Sequence, residues 1–346
     1  MRSNRTIIDV YVDDLLILIL RGEIETLRQI KADLRREIKI KELGGVKKIL
    51  GMRVIRDRKA RRVDLDQSGY IKRFLHEFDM MRAQRARPTS VPMSSNTALR
   101  KTQLTDEVAD QRLYQRQIGS MMFAMVYTRP DTALSVSKLS QYMSNPGDHH
   151  AIAVKGVLRY FRSTVDLCIR FSPTSTVHKG DTVVGYTDSS YADCPDTRRS
   201  TLGYIFLLGG GPISWGSRRQ RSTSTSTTEA EYMALYQASK QAMWIRQFLT
   251  DIGRSEYIGP NSYSLRMYED NQSAIVLTKD PQISERTKHI DVAAHYIREL
   301  VSHGKIEVHY KHTSEMLADV LTKPLGKDKF LPLRDGIGLV NRPIIE

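Results

Sequence analysis

The stretch Thr227-Thr228-Glu229-Ala230-Glu231-Tyr232-Met233-Ala234-Leu235 opens a long helical pattern, and its phase decides how the second half of the chain folds. Leu235, Ala238, Ala242, Ile245 and Leu249 recur at steps of three and four, the apolar stripe of an amphipathic helix from Glu229 to about Thr250. One step of four back from Leu235 lands on Glu231, so this glutamate shares the face a helix turns toward its sheet. Glu229 lies two residues away, about 200° round at 3.6 residues per turn, and points elsewhere. A second reading stays open: Thr228 followed three positions on by Glu231 has the form of a capping box, which would make Glu231 a helix-start device.

Strand-like runs lie on both sides of this helix, at Val183–Asp188, Thr201–Leu208 and Ile213–Arg218 before it and at Leu265–Asp270 after it. A helix around Ile290–Val301, a strand at Ile306–Tyr310 and a short helix at Glu315–Leu321 follow. Four acids fall at telling places: Asp188 ends the first strand, Glu231 opens the long helix, Asp270 ends the fourth strand, and Asp319 lies on the last helix. Carboxylates gathered at one point repel, by about 4 kcal/mol for each pair at ~4 Å and an effective dielectric of 20. Such a cluster persists when divalent cations neutralise it, and oxygen-only ligands favour Mg²⁺ or Mn²⁺ over zinc. Two such ions can activate a water and stabilise the leaving oxygen of a phosphodiester. Asp193, Asp196 and Asp291 are expected in turns and caps.

The composition narrows the class. Of 346 residues, 40% are hydrophobic and 27% charged, ordinary for a globular protein that can hold about two domains. The longest apolar run, Leu15 to Leu20, is too short for a membrane span, and Asp9, Asp13 and Asp14 break any secretory signal. Two cysteines, Cys168 and Cys194, have no metal-binding spacing, so neither a disulfide framework nor a structural zinc is expected and an intracellular, reducing location is; no small-molecule cofactor is expected either. The net charge of +14 is uneven: residues 1–101 carry 24 Lys and Arg against 13 Asp and Glu, and the remainder 29 against 26. A basic front end predicts a polyanion held mainly by the first part of the chain. Arg218, Arg219 and Arg221, with the hydroxyls of Ser222 to Ser226, are placed to meet phosphates. A charged edge strand that discourages aggregation is the competing reading.

In the front half, Ile7 to Val12 and Leu15 to Leu18 predict two strands around a tight turn with Asp13 and Asp14 at its tip. A helix follows over Glu23–Lys41, a second hairpin over Ile49–Asp66 and a short helix over Gly69–Met81. Arg87-Pro88-Thr89-Ser90-Val91-Pro92 predicts a linker, and Asp110–Arg162 is helical apart from a break near Asn145-Pro146-Gly147.

The order of elements, with Asp, Glu, Asp and Asp at those four places, resembles the ribonuclease H fold. The wording is similar to copia-type retrotransposon polyproteins: Gly185-Tyr186-Thr187-Asp188-Ser189, Arg199-Ser200-Thr201-Leu202-Gly203-Tyr204, Thr227 to Leu235, Thr287-Lys288-His289-Ile290-Asp291 and Leu317-Ala318-Asp319-Val320-Leu321-Thr322-Lys323-Pro324-Leu325 follow in order through almost the whole chain. The resemblance implies an α/β, ribonuclease H-like mixed five-stranded sheet with flanking helices, preceded by a partial reverse-transcriptase palm and a helical thumb or tether. The expected divisions are 1–66 (palm), 67–178 (thumb and tether), 179–325 (ribonuclease H) and 326–346 (tail). It implies that Asp188, Glu231, Asp270 and Asp319 hold two Mg²⁺ ions (or Mn²⁺) and cut the RNA strand of an RNA–DNA hybrid, leaving a 3′-hydroxyl and a 5′-phosphate.

Tyr11-Val12-Asp13-Asp14 resembles the polymerase turn of reverse transcriptases, which implies metal binding by Asp13 and Asp14. In that family a third aspartate and the fingers lie upstream of this turn, so the chain alone is expected not to polymerise DNA; a complete reverse transcriptase is an expected partner. Many ribonuclease H enzymes place a mobile histidine before the last aspartate. His312 is the nearby candidate here, with a surface role the stronger expectation, and His289 is expected to serve packing or a helix start. Two other readings remain, a non-catalytic nucleic-acid-binding relic and a DNA-directed nuclease or integrase of the same fold.

Overall fold

Near-continuous burial along Val184–Ser190 and Thr201–Leu208, with alternation along Leu265–Glu269, marks strands wedged between two packed layers, and the helices around them supply those layers. The structure is a computed structural model, described over residues 6–19, 22–81, 88–97, 99–173, 182–259, 261, 263–279 and 291–342. In chain order its elements begin with β1 (Ile7–Tyr11), β2 (Asp14–Leu18), α1 (Ile24–Glu37), β3 (Lys48–Ile49), β4 (Met52–Asp57), β5 (Arg62–Asp66) and α2 (Ser68–Glu77). Next come α3 (Gln111–Tyr127), α4 (Ala133–Ser140), α5 (Asp148–Ser163), β6 (Leu167–Phe171), β7 (Val184–Ser190), β8 (Thr201–Leu208), β9 (Gly211–Arg219) and α6 (Thr227–Asp251). The last are β10 (Leu265–Glu269), α7 (Gln272–Leu277), α8 (Asp291–Ser302), β11 (Ile306–Tyr310), α9 (Lys327–Gly336) and β12 (Leu339–Asn341).

The second half forms the expected mixed five-stranded sheet, in the order β11-β10-β7-β8-β9. β7, β8 and β9 run antiparallel in succession, while β10 lies parallel beside β7 and β11 parallel beside β10. With α6 and α8 on one face, this is the ribonuclease H-like arrangement that the resemblance implied. The stripe Leu235, Ala238, Ala242, Ile245 and Leu249 is buried as its spacing predicts, packed with Phe206, Met267 and Ile297. On the other face Tyr186, Ile205 and Leu207 meet Tyr160, Leu317, Leu321, Phe330 and Ile337.

Beside it stands a second five-stranded sheet, ordered β12-β6-β5-β4-β3, whose strands pair antiparallel. Its members come from residues 48–66, 167–171 and 339–341, so it crosses the expected divisions at 66, 178 and 325. The expected tail is corrected outright: residues 327–336 form α9, Phe330, Leu333, Ile337 and Leu339 are buried, and β12 pairs with β6. The physical reason is non-local pairing, since β6 and β12 are apolar neighbours only once the intervening sheet has brought them together. Helices α2, α3, α4 and α5 form a further core around Ile71, Leu75, Ile118, Leu139 and Phe161.

These layers are tied by polar bonds. Arg129, fully buried, donates to Asp131 at 2.9 and 2.7 Å, and the Tyr160 hydroxyl donates to Asp131 at 2.6 Å. Asp193 and Asp196 do more than the expected turn and cap work. Asp193 pairs with Lys138 of α4 at 2.6 Å, and Asp196 accepts from the Lys101 amide at 3.0 Å and the Tyr142 hydroxyl at 3.2 Å. Asp291 pairs with His295 one turn on.

The front hairpin differs from expectation in its tip. Tyr11 pairs directly with Asp14, so the two-residue loop is Val12-Asp13, with Val12 at φ 51°, and Asp14 already belongs to β2. A positive φ is uncommon for a β-branched residue, so the apolar run through Val12 reads as strand although Val12 is the first residue of the turn. The two strands pair with each other in a sheet of their own.

Candidate active site

The start of α6 shows which glutamate caps the helix. Ser226 caps the helix by accepting from the Glu229 amide at 3.1 Å, and the Glu229 carboxylate reaches back to the Thr225 amide and hydroxyl. This is reciprocal capping by Ser226 and Glu229, two residues ahead of the Thr228/Glu231 alternative. The capping work being done by Glu229, Glu231 is left turned toward the sheet, 8% exposed, with its Oε2 lacking a hydrogen-bond partner.

Asp188 and Asp270 come to meet it because β7 and β10 are parallel neighbours that deliver their C-terminal ends to one edge. Side-chain oxygens of Asp188, Glu231 and Asp270 all lie within 4.8 Å of one another, a spacing that one cation can bridge. Asp270 is held by the Thr313 hydroxyl, which donates to Oδ2 at 2.6 Å. Asp188 is fully buried and accepts from the Thr322 hydroxyl and, at 2.9 Å, from Lys323 Nζ. Gly203 sits across from Asp188 in the β7–β8 register. A Cβ there would fall 2.5 Å from the Thr322 methyl and 2.9 Å from Leu321 Cβ. Only glycine lets the turn carrying Thr322 and Lys323 come this near the aspartate.

Asp319 stands apart from the group of three. Its Oδ1 accepts from Lys323 Nζ at 2.8 Å and its Oδ2 accepts from Lys329 Nζ. Lys323 thus bridges Asp188 and Asp319, and its ammonium lies where the expected four-acid cluster would place positive charge. Burial disfavours that charge, yet Asp188 and Asp319 outweigh it and the Lys323 pKa is raised overall.

The electrostatics follow from crowding in a dry place. Burial first, then Glu269, Asp188 and Asp270, push the Glu231 carboxyl up to about 11. Burial also raises Asp188, to about 7, with Asp319 adding to it and Lys323 opposing. Glu269, which the sequence reading missed, is fully buried beneath the site with Oε2 unpartnered, and burial and Asp188 raise its pKa well above the ordinary glutamate value. A signal for it existed: Leu265, Met267 and Glu269 alternate on the buried face of β10.

These residues fit a hard divalent cation. All donors are carboxylate oxygens, and two buried oxygens, on Glu231 and Glu269, want a positive partner. Among the described residues no other group of three His, Cys, Asp or Glu side chains meets the same spacing, so Asp13 and Asp14 gain no third carboxylate.

The expected phosphate contacts are split. Arg218 and Arg221 are exposed at the end of the edge strand β9, whereas Arg219 is half-buried with Nη1 3.7 Å from Cys194 Sγ. Ser224, Thr225 and Ser226 bond to Gln220 and Glu229, so within the hydroxyl run only Ser222 and Thr223 lack such a role among the described residues. His312 is exposed, capping the turn at Thr313–Glu315 by accepting from the Ser314 amide at 3.2 Å. His289, and the start of the helix expected from Ile290, lie outside the described residues.

Comparison with known proteins gives a consistent family. A reverse transcriptase (RNA-dependent DNA polymerase) family model matches residues 1–95. The Retrovirus-related Pol polyprotein from transposon TNT 1-94 of Nicotiana tabacum is 38% identical over 97% of this chain and 24% of its own length. That from transposon RE2 of Arabidopsis thaliana is 34% identical over 96% of this chain and 22% of its own. The chain therefore spans about a quarter of the length of these relatives. Among solved structures, RNase H1 from the halophilic archaeon Halobacterium salinarum NRC-1 aligns over 41% of this chain and 94% of its own at 18% identity, TM-score 0.29.

Proposed function

This chain belongs to the copia-type retrotransposon polyproteins and carries a ribonuclease H-like domain, and from that premise we propose that the domain hydrolyses the RNA strand of RNA–DNA hybrids with Mg²⁺. The observation that carries the proposal is the convergence of Asp188, Glu231 and Asp270 within 4.8 Å, with a buried Glu231 oxygen lacking any partner. Those three carboxylates would hold the metal, with Asp319 joining them on the far side of Lys323. Bound divalent cations supply Lewis acidity at the scissile phosphodiester. Water adds to phosphorus, the bond from phosphorus to the 3′ oxygen breaks, and the products are a 3′-hydroxyl and a 5′-phosphate.

The chain's own residues supply orientation. Thr322 and Lys323 hold Asp188, Thr313 holds Asp270, and the capped start of α6 fixes Glu231. Arg218 and Arg221 on the edge strand meet the hybrid backbone, which is recognised by shape and phosphate and not by base identity. The experiment is cleavage of a labelled RNA–DNA hybrid in Mg²⁺, comparing the natural chain with Asp188→Asn. Cleavage by the first and not the second supports the proposal, and equal cleavage by both removes it.

One observation favours a second reading, a non-catalytic nucleic-acid-binding relic: the Lys323 ammonium already bridges Asp188 and Asp319. No cleavage by either protein, with hybrid binding retained, would select it. We further propose that the front hairpin does not add nucleotides in this chain, since no third carboxylate joins Asp13 and Asp14 among the described residues. Primer extension by the purified protein would overturn that.

A further inference from the structure

A cleft opens on the second sheet. Where β4 and β5 meet the start of α2, a cleft of about 400 Å³ is lined by Lys48, Arg53, Gln67, Gly69, Lys72 and Arg342, among others. The Gln67 cap gives α2 no side-chain hydrogen bond. The Ser68 amide donates to Asp66 at 2.7 Å, but the amides of Gly69 and Tyr70 meet no acceptor among the described residues. A helix start with open amides carries a partial positive charge that favours an anion. A Cβ at Gly69 would meet nothing within 4 Å, so space stands open over those amides.

A second and independent observation comes from Gln67, which is 2% exposed. Its Oε1 accepts from the Thr128 hydroxyl at 2.7 Å, while its Nε2 has no acceptor. A buried donor left without a partner costs free energy that a ligand oxygen would recover. The charges agree. Asp66 is the cleft's one acid and is already paired with Arg53 and Arg342. Lys48, Lys72 and Arg73 add three further cations, and none of them has an ion pair among the described residues. Unpaired amides, an orphaned amide NH₂ and an excess of cations together define an anion seat, and phosphate is the anion that such helix starts accept.

We propose that this cleft seats one backbone phosphate of a bound nucleic-acid duplex, giving the chain a second nucleic-acid contact on a sheet separate from the carboxylate cluster. Its cations Lys48, Arg53, Lys72 and Arg73 belong to the basic front part of the chain. The proposal concerns binding alone and does not depend on hydrolysis.

The test is fluorescence anisotropy of the full chain with a fluorescein-labelled RNA–DNA hybrid, in EDTA so that nothing is cut, from about 50 to about 200 mM salt. Gly69→Asp places a fixed carboxylate in the seat, and an acid in the first helical turn favours the helix, so folding is preserved. Lys72→Gln with Arg73→Gln removes two exposed cations. Each variant is expected to weaken binding about tenfold, with the slope of log affinity against log salt shallower by about 1 for each lost phosphate contact. Unchanged affinity and slope in variants that melt like the natural chain would overturn the proposal. So would inorganic phosphate raising the melting temperature of the natural chain, and not of Gly69→Asp, while hybrid binding is the same in both; the seat would then serve the free ion. Because the readout is binding without metal, failure here is separable from failure of Asp188→Asn to abolish cleavage.

Discussion

Replacing Glu231 by Gln is expected to stabilise the metal-free protein at neutral pH, although it removes a residue placed at the centre of the site. Burial and three neighbouring acids raise the Glu231 carboxyl to about 11, against 4.5 in an unfolded chain. Below pH 4.5 the side chain is neutral in both states and costs nothing. As the pH climbs, the unfolded state gains by ionising and the folded state does not, so the penalty grows until the pH passes the folded pKa. At pH 7 it amounts to about 3.4 kcal/mol, at 1.36 kcal/mol per pH unit. Coulomb's law gives a similar figure: two charges 4.8 Å apart repel by about 3.5 kcal/mol at an effective dielectric of 20. A glutamine keeps the shape, cannot ionise, and can donate to Asp188 or Asp270. The expected gain is about 2–3 kcal/mol, or roughly 5–10 °C in Tm for the domain concerned. The assay is thermal unfolding in EDTA from pH 4.5 to pH 8, repeated with excess Mg²⁺. The gap between the proteins should open as pH rises, and Mg²⁺ should stabilise the natural chain more than the variant. A variant less stable than the natural chain at pH 7 in EDTA, or a gap independent of pH, would refute the reasoning.

Other perturbations separate capping, core and site. Ser226→Ala or Glu229→Ala should cost about 1 kcal/mol through the helix start, with Mg²⁺ stabilisation in thermal melts left intact. Arg129→Met leaves Asp131 buried with only Tyr160 as a partner, and should lower stability by about 3–5 kcal/mol in denaturant titration. Lys323→Met removes the cation between Asp188 and Asp319, so the variant should be destabilised in EDTA and recover more than the natural chain does when Mg²⁺ is added; equal Mg²⁺ effects on both would contradict the bridging role.

Glu231 was legible because helix phase is local: one step of four from Leu235 is enough to say which way it faces. Its competitor Glu229 turns away to cap the helix, and the cap begins two residues before Thr228, since Ser226 and Thr228 offer the same chemistry and only the backbone tells them apart. Asp188 and Asp270 could be placed at strand ends, while their meeting depends on β7 and β10 lying parallel, which no local pattern encodes. Glu269 was hidden by its neighbour, although strand alternation put it on the buried face. Lys323 lies four residues after Asp319, a spacing that pairs opposite charges on a helical turn, yet the emphasis on acids left it unread. The segment after Leu325 carries no readable pattern in the sequence, and Pro332 sits inside α9 with Phe330 and Leu333 buried on either side. The sheet joining β3, β4 and β5 to β6 and β12 brings together residues up to hundreds of positions apart, and pairing of that kind is decided by the folded whole.

The most direct measurement is a crystal of the protein soaked in Mn²⁺, with anomalous difference density collected at the metal edge. A peak bonded to oxygens of Asp188, Glu231 and Asp270 is expected, abolished in Asp188→Asn. Density that shows those three side chains turned apart, with no peak among them at saturating Mn²⁺, would contradict it.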